Sequence, residues 1–164
     1  MSRAFVNEDN AAAQADQPVE RQVSEQPNYV TPTGLAQLQA KVGELQQLHS
    51  EQSGKGEQAD KQRQADLERD LRYFNQRLQS AQIVTSANST QKAQIGSRVT
   101  FADEHNVEQT VQLVGEDQAD AAAGLINWGA PLGRALLGAQ LGDEVLWQRP
   151  AGDQMIEIIR IEPA

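Results

Sequence analysis

The sequence contains no cysteine and only two histidines, His49 and His105. The absence of cysteine excludes disulfide bonds, thiol nucleophiles and cysteine-based zinc sites. Neither histidine has a partner nucleophile or a third metal ligand at a useful spacing. The sequence therefore predicts neither a catalytic residue nor a metal site, and it favours a regulatory or binding protein without a small-molecule substrate over an enzyme.

Basic residues are also scarce: 14 Lys and Arg stand against 23 Asp and Glu, and the formal net charge of the 164 residues is −9. A chain of this charge is poorly suited to hold bare nucleic acid or an anionic membrane, so contact with DNA or RNA is expected only through a partner. No apolar run reaches the roughly 18 residues of a membrane span, and the first ten residues lack the apolar core of a signal peptide. We therefore predict a cytoplasmic protein without membrane contact.

Two segments each carry one narrow apolar stripe. The first stripe comprises Leu35, Leu38, Val42 and Leu45, and the second comprises Leu67, Leu71, Phe74, Leu78 and Ala81. Spacings of three and four residues predict two helices that share one seam, as in a coiled coil. Two glycines within residues 53–56 predict a turn, and hence an antiparallel helical hairpin over residues 29–84. The stripe fades from His49 to Arg63, so the tip is expected to fray.

The segments on either side of this hairpin have little periodicity. Residues 1–28 are predicted to be a disordered arm, with the alternative that Met1–Asp9 docks on a partner as a short motif. Thr31 or Thr33 is the predicted cap of the first helix. Residues 85–95 are small and polar, as is typical of a linker.

From residue 96 the pattern changes to short β-type runs. Five strands are predicted, at residues 97–102, 107–114, 125–128, 143–148 and 154–161. Between the third and the fourth, Pro131 marks a helix start and Gly138 a helix end, which predicts one short helix. This domain, residues 96–164, has 4 basic and 11 acidic residues and so holds most of the negative charge.

Three blocks of sequence resemble the GreA/GreB family of transcript cleavage factors. They are the opening Tyr29-Val-Thr-Pro-Thr-Gly-Leu-Ala-Gln-Leu38, the segment Leu71-Arg-Tyr-Phe-Asn-Gln-Arg-Leu78, and Pro131-Leu-Gly-Arg-Ala-Leu-Leu-Gly138 followed by Gly142-Asp-Glu-Val145. The resemblance covers residues 29–162. It implies an α+β protein in which the antiparallel hairpin precedes a small FKBP-like antiparallel β domain with one short helix.

The resemblance also implies a partner, bacterial RNA polymerase. The C-terminal domain would grip the rim of the secondary channel while the hairpin reaches toward the active centre. Family members present two tip carboxylates that help to hold a Mg²⁺ ion there, where it assists hydrolysis of backtracked RNA by the polymerase. The chain is thus expected to have no cofactor of its own and only indirect contact with that Mg²⁺.

At the hairpin tip this sequence departs from the family. The motif Gly-Asp-x-x-Glu-Asn-Ala-x-Tyr is absent, and an ungapped count back from Leu71 places Ser50 and Ser53 at the positions of the two acids. A neutral hydroxyl is a poor substitute for a carboxylate on Mg²⁺. The hairpin is also shorter than the family norm by roughly four helical turns in total, or about 10 Å of reach per arm. Weak or absent stimulation of cleavage is therefore expected.

Other polar residues lie near the predicted tip, namely Glu51, Ser53, Lys55, Glu57 and Asp60. The three acids among them could recruit Mg²⁺ in place of the missing pair, or they could belong to a solvated helix surface. The first alternative predicts ordinary cleavage stimulation, and the second does not.

The loop before the short helix is the predicted contact with the polymerase. Family members typically have Ile/Val-Ser-x-Asp-Ser-Pro there, whereas this chain has Asn127, Trp128, Gly129 and Pro131 around Ala130. The missing acid at Gly129 removes one charged contact, commonly worth about 1–3 kcal/mol. Trp128 is either an anchor for a partner or a residue of the domain core.

Three functions follow from these patterns. The leading hypothesis is a Gre-like factor that occupies the secondary channel and modulates elongation, with weak or no cleavage stimulation. The second is ordinary rescue of backtracked polymerase through the tip acids. The third is a coiled-coil adaptor whose hairpin binds a different protein.

Overall fold

Two long helices dominate the first half of the structure, which is a computed structural model and describes residues 19–85 and 87–163. Helix α1 spans Pro32–Ser53 and helix α2 spans Lys61–Ser80, with a 3-10 turn at Gly56–Gln58 between them. Near the turn, Gln64 Nε2 donates to Ser53 Oγ over 3.2 Å. Farther along, His49 Nε2 lies 3.0 Å from Glu68 Oε1. Of these two contacts, the one farther from the turn joins an earlier residue of α1 to a later residue of α2. The two helices therefore run antiparallel, and the predicted hairpin is confirmed.

Burial along the hairpin follows the predicted stripe. Val42, Leu45 and Leu67 are buried, whereas no residue from 46 to 66 is buried. The loss of burial toward the tip therefore agrees with the fading apolar pattern. Arg77 is 1 % exposed although it lies off the predicted stripe. No helix in the described part of the chain is long and apolar enough to cross a membrane.

Contacts group the chain into two units whose limits differ from the predicted domains. One unit holds residues 39–79 together with the described residues 19–24, and the other holds Glu25–Leu38 and the chain from Ser80 onward. The first 18 residues of the predicted arm lie outside the described residues. The rest of that arm is not a free tail, because it contributes to both units.

The predicted linker over residues 85–95 is also corrected. Ala87 and Ala93 are buried at 6 % and 1 % exposure. The Ala93 amide donates to the Ala139 carbonyl over 2.8 Å, and Lys92 forms a β-bridge with Gln140. Small side chains suggested a linker, but small side chains also fit where two backbone segments of a protein pack closely.

Two very short strands were not predicted. Strand β1, Tyr29–Val30, pairs in parallel with β2, Gln82–Ile83. The pairing is extended by bonds from the Gln82 amide to the Asn28 carbonyl and from the Val84 amide to the Val30 carbonyl, each 2.8 Å long. Directly after β1, the Thr31 hydroxyl accepts a bond from the Gly34 amide at 3.0 Å and so caps α1.

A five-stranded sheet forms most of the second unit. Its strands are β3 (Arg98–Ala102), β4 (Glu108–Val114), β5 (Leu125–Asn127), β6 (Glu144–Trp147) and β7 (Gln154–Glu162). Every boundary lies within one residue of its prediction. The strand order is β5-β4-β3-β7-β6, and all neighbours are antiparallel except β4 and β5. The predicted antiparallel domain is corrected at this edge, where a parallel strand is added after a connection that contains a 3-10 turn at Ala121–Ala123.

A single short helix, α3 (Pro131–Leu136), packs against this sheet, which confirms the predicted α+β class. Gly138 follows the helix with a φ of 82°, as expected of a residue that ends a helix. The core consists of apolar side chains from one sheet face, from α3 and from two neighbouring loop segments. Its buried members are Ala93, Val99, Phe101, Val111, Leu113, Leu132, Leu136, Ala139, Ile156, Ile158 and Ile161.

Glycine at position 115 allows two backbone segments to meet. A Cβ atom at Gly115 would lie 2.4 Å from the Tyr29 carbonyl oxygen, whereas one at Gly43 in α1 would meet nothing within 4 Å. We expect Gly115→Ala to lower the free energy of unfolding by about 1–3 kcal/mol, because backbone must move. Gly43→Ala should instead raise it by about 0.5–1 kcal/mol, because glycine in a helix interior is entropically unfavourable. Urea unfolding of both variants checks this, and equal effects would contradict the assigned close approach.

Candidate functional site

The predicted binding loop is a tight turn between β5 and α3. The Asn127 Oδ1 atom accepts a bond from the Gly129 amide at 2.9 Å, and the Asn127 carbonyl accepts one from the Ala130 amide at 3.0 Å. The Trp128 amide donates to the Val114 carbonyl over 2.9 Å. Asparagine favours such turns because its side chain replaces a backbone acceptor. The loop is thus held by its own hydrogen bonds and by the end of β4.

Trp128 packs within its own unit. Its ring centroid lies 5.3 Å from that of Tyr29, with an interplanar angle of 58°. The side chain is half-buried, and its Nε1 atom is buried without a hydrogen-bond partner among the described residues. Trp128 therefore has a clear packing role, and its indole N–H could bind an acceptor only if the loop opened.

Two glycines explain how closely this loop is packed. A Cβ atom at Gly129 would lie 2.1 Å from Gln26 Oε1, and one at Gly133 would lie 2.1 Å from the Asn127 carbonyl oxygen. The Gln26 side chain can move, whereas the Asn127 carbonyl belongs to the turn itself. Gly133 therefore shapes the loop. Sequence reasoning missed it, although a glycine inside the short predicted helix was the available signal.

Beside the loop, an open groove of about 250 Å³ runs between α3 and β6. It is lined by Pro131, Arg134, Ala135, Leu146 and Gln148. Pro131 and Arg134 are exposed, and Leu146 is exposed to 46 %. The groove thus offers an apolar surface with one cationic side chain. Of the four predicted binding residues, Pro131 is the one that lines it.

At the hairpin tip, Asp60 has a structural task. Its Oδ1 atom accepts a bond from the Arg63 amide at 3.0 Å, and its backbone carbonyl accepts one from the Gln64 amide at 2.9 Å. This is the geometry of a helix N-cap, in which a carboxylate satisfies a free amide and faces the positive end of the helix. Asp60 also donates its own amide to Gln52 Oε1 over 3.2 Å.

The other predicted tip residues lie at the protein surface. Glu51, Lys55 and Glu57 are exposed, and the Ser53 hydroxyl is engaged by Gln64. Across residues 19–85 and 87–163, no three His, Cys, Asp or Glu side chains are placed to hold a metal ion.

The two histidines lie in unrelated surroundings. His49 contacts Glu68 across the hairpin, and His105 is exposed in the turn between β3 and β4. In that turn, Asp103 Oδ1 accepts bonds from the Val107 amide at 3.0 Å and the His105 amide at 2.8 Å. The bond from Val107, the largest cause, and that from His105 hold the pKa of Asp103 below its ordinary value. These contacts stabilise a turn, and they do not assemble a catalytic group.

This chain belongs to the class of transcription elongation factors called the GreA/GreB family, because a curated relative named as such is 31% identical to it over 96% of that relative's length. Residues 88–163 match the family described as "Transcription elongation factor, GreA/GreB, C-term".

Curated relatives match over most of the chain. Transcription elongation factor GreB of Neisseria meningitidis serogroup B is 31% identical over 156 residues, which cover 85% of this chain and 96% of that protein. Transcription elongation factor GreA of Vibrio parahaemolyticus is 35% identical over 129 residues, which cover 77% and 82% respectively. A solved structure, GreA factor homolog 1 of Thermus thermophilus, is 21% identical, covers 84% of this chain and 99% of that one, and has a TM-score of 0.41.

The cap at Asp60 can be tested by two substitutions at one position. Asp60→Ala should lower the stability of the hairpin by about 0.5–2 kcal/mol, whereas Asp60→Asn, which keeps a capping oxygen, should change it by much less. Thermal unfolding followed by far-ultraviolet circular dichroism measures both. Glu57→Ala, at an exposed neighbouring site, is the control and should have little effect. If Ala and Asn at position 60 behave alike, the side chain does not cap α2.

Proposed function

We propose that this chain binds bacterial RNA polymerase at the secondary channel and modulates transcription elongation, with weak or no stimulation of transcript cleavage. It acts as a regulatory factor on the polymerase and touches DNA or RNA only through it. The observation that carries the weak cleavage stimulation in this proposal is the use of Asp60 as a helix cap, because it engages one of the three tip acids in holding α2.

The C-terminal unit supplies the binding surface in this proposal. The loop Asn127–Pro131 is shaped by its own hydrogen bonds, so little conformational entropy is lost when a partner binds it. Pro131 and Leu146 offer apolar surface beside the Arg134 cation. This chemistry suits an apolar polymerase surface with an acidic side chain nearby.

In this proposal the hairpin acts by occupying the secondary channel of the polymerase. Helices of 22 and 20 residues are about 33 and 30 Å long at 1.5 Å per residue. A hairpin whose helices are each about two turns shorter than the family norm would end before the polymerase active centre. It would then not reach the Mg²⁺ ion that family members help to hold there. The factor would then block the channel without contributing metal ligands.

A competition assay tests this reading. Added in excess to backtracked elongation complexes, the protein should slow RNA shortening by an active Gre factor, because both need the same channel. The measurement is the rate of RNA shortening on a denaturing gel. If the rate of RNA shortening is unchanged at a saturating concentration of this protein, the two factors do not share the channel. Shortening by this protein alone would instead favour the ordinary family role.

The tip acids can then be examined without disturbing the hairpin. The combined variant Glu51→Gln, Glu57→Gln and Asp60→Asn removes three charges and retains a capping oxygen at position 60. We expect it to compete as well as the unaltered protein. If the unaltered protein stimulates cleavage and this variant does not, the result would support ordinary rescue of backtracked polymerase through the tip acids.

The contact loop is tested by binding of variants to the polymerase. Pro131→Ala should weaken binding by about 1 kcal/mol or more, roughly fivefold in Kd, because an exposed apolar contact is truncated. Trp128→Phe retains a ring against Tyr29 and should weaken binding less. Pro163→Ala, an exposed proline after β7, is the matched control. Equal Kd values for Pro131→Ala and Pro163→Ala would place the contact elsewhere.

A further inference from the structure

Residues 19–24, here called the N-terminal strap, lie against α2 in the hairpin unit. The Glu20 carboxylate accepts bonds from the Arg72 guanidinium, with Arg72 Nε 3.0 Å from Oε1 and 3.2 Å from Oε2, and a further contact from Nη2. These residues are 52 positions apart in the sequence. A bidentate pair of this kind fixes orientation as well as proximity.

The next residue makes a second, different set of contacts. The Arg21 guanidinium carbon lies 4.0 Å from the ring centroid of Tyr73 and 5.0 Å from that of Phe74. Its Nη1 atom is 3.5 Å from Asp70 Oδ1, which Arg69 also contacts at 3.2 Å. Arg21 thus covers the two aromatic rings, which meet edge to face at 5.0 Å. Cation–π contact and an ion pair together hold the strap beside α2.

Both charged residues of the strap face an opposite charge in α2. Glu20 pairs with Arg72, and Arg21 pairs with Asp70. The hydrogen bond from Arg72 is the main reason that the pKa of Glu20 lies below its ordinary value. Because the pKa of Glu20 is lowered in the folded protein, its ion pair stabilises the fold at a pH above the ordinary pKa of glutamate. This stabilisation is lost as the pH falls through the lowered pKa. The pair is therefore charged throughout the neutral range.

The strap is nevertheless weakly anchored. The Arg72 and Glu20 side chains are 55% and 61% exposed. Exposed ion pairs are screened by salt and stabilise little individually. Val19, at the start of the strap, is 85 % exposed, and Val23 is half-buried, so no apolar side chain of the strap is fully buried. Contacts of this strength allow the strap to detach from α2 and bind again, and they add little to the stability of the fold.

We propose that the N-terminal strap is a reversible, salt-sensitive cover for the Tyr73–Phe74 face of α2. In the closed form, Glu20 and Arg21 occupy this face. In the released form, two aromatic side chains and the Arg72 cation become accessible on the hairpin. The strap thereby competes with any other ligand for this face, and ionic strength sets the balance. The device does not depend on the proposed polymerase function.

Paramagnetic NMR on the isolated, full-length protein tests this directly. The chain has no native cysteine, so Gln22→Cys, at an exposed strap position, gives a single site for a nitroxide label. At low salt the label should broaden amide signals of residues 69–74. In about 1 M NaCl, where the Debye length is about 3 Å, those signals should recover toward the intensity of the reduced label.

Three variants identify the contacts responsible. Glu20→Gln should markedly reduce the broadening at low salt, while Glu25→Gln, the same charge change five residues away, should leave it unchanged. The double variant Glu20→Arg with Arg72→Glu should restore it by reversing the pair. Circular dichroism confirms that each variant keeps its helices.

The proposal is overturned if the label broadens nothing in α2 at low salt, or if broadening persists unchanged in high salt and in Glu20→Gln. Because the polymerase is absent from this measurement, failure here leaves the proposed elongation function untouched. Failure of the polymerase assays likewise leaves the strap untouched.

Discussion

The parallel pairing of β1 with β2 is the constraint on which the second unit depends. It ties together two chain segments that lie on either side of the hairpin in the sequence. From β1, the Tyr29 ring packs on Trp128, and the Tyr29 carbonyl approaches Gly115 so closely that no side chain fits there. A strand of two residues therefore orders the start of α1, the end of β4 and the candidate binding loop together.

The five strands of the sheet could be predicted from the sequence to within one residue, and the two long helices could be predicted as a hairpin. The helices repeat their apolar pattern over several turns, so a chance match is rare. The turn of the hairpin and the short helix were marked by glycine and proline. The same reasoning located the loop before α3, because Pro131 and the residues before it interrupt two periodic segments.

The remaining features depend on contacts between residues distant in the sequence. Two-residue strands have no periodicity, and the direction of β5 relative to β4 is not encoded in its apolar residues. The sequence around Ala93 resembles that of a linker, because small side chains suit both a linker and a tight core. The pairing of Glu20 with Arg72 could not be seen either, since each residue alone is typical of a solvated surface.

The capping role of Asp60 limits what this carboxylate can bind. Its Oδ1 atom is engaged by the Arg63 amide, so only Oδ2 is left for another ligand. A cation at Oδ2 would also face the positive end of the α2 dipole, which opposes its binding.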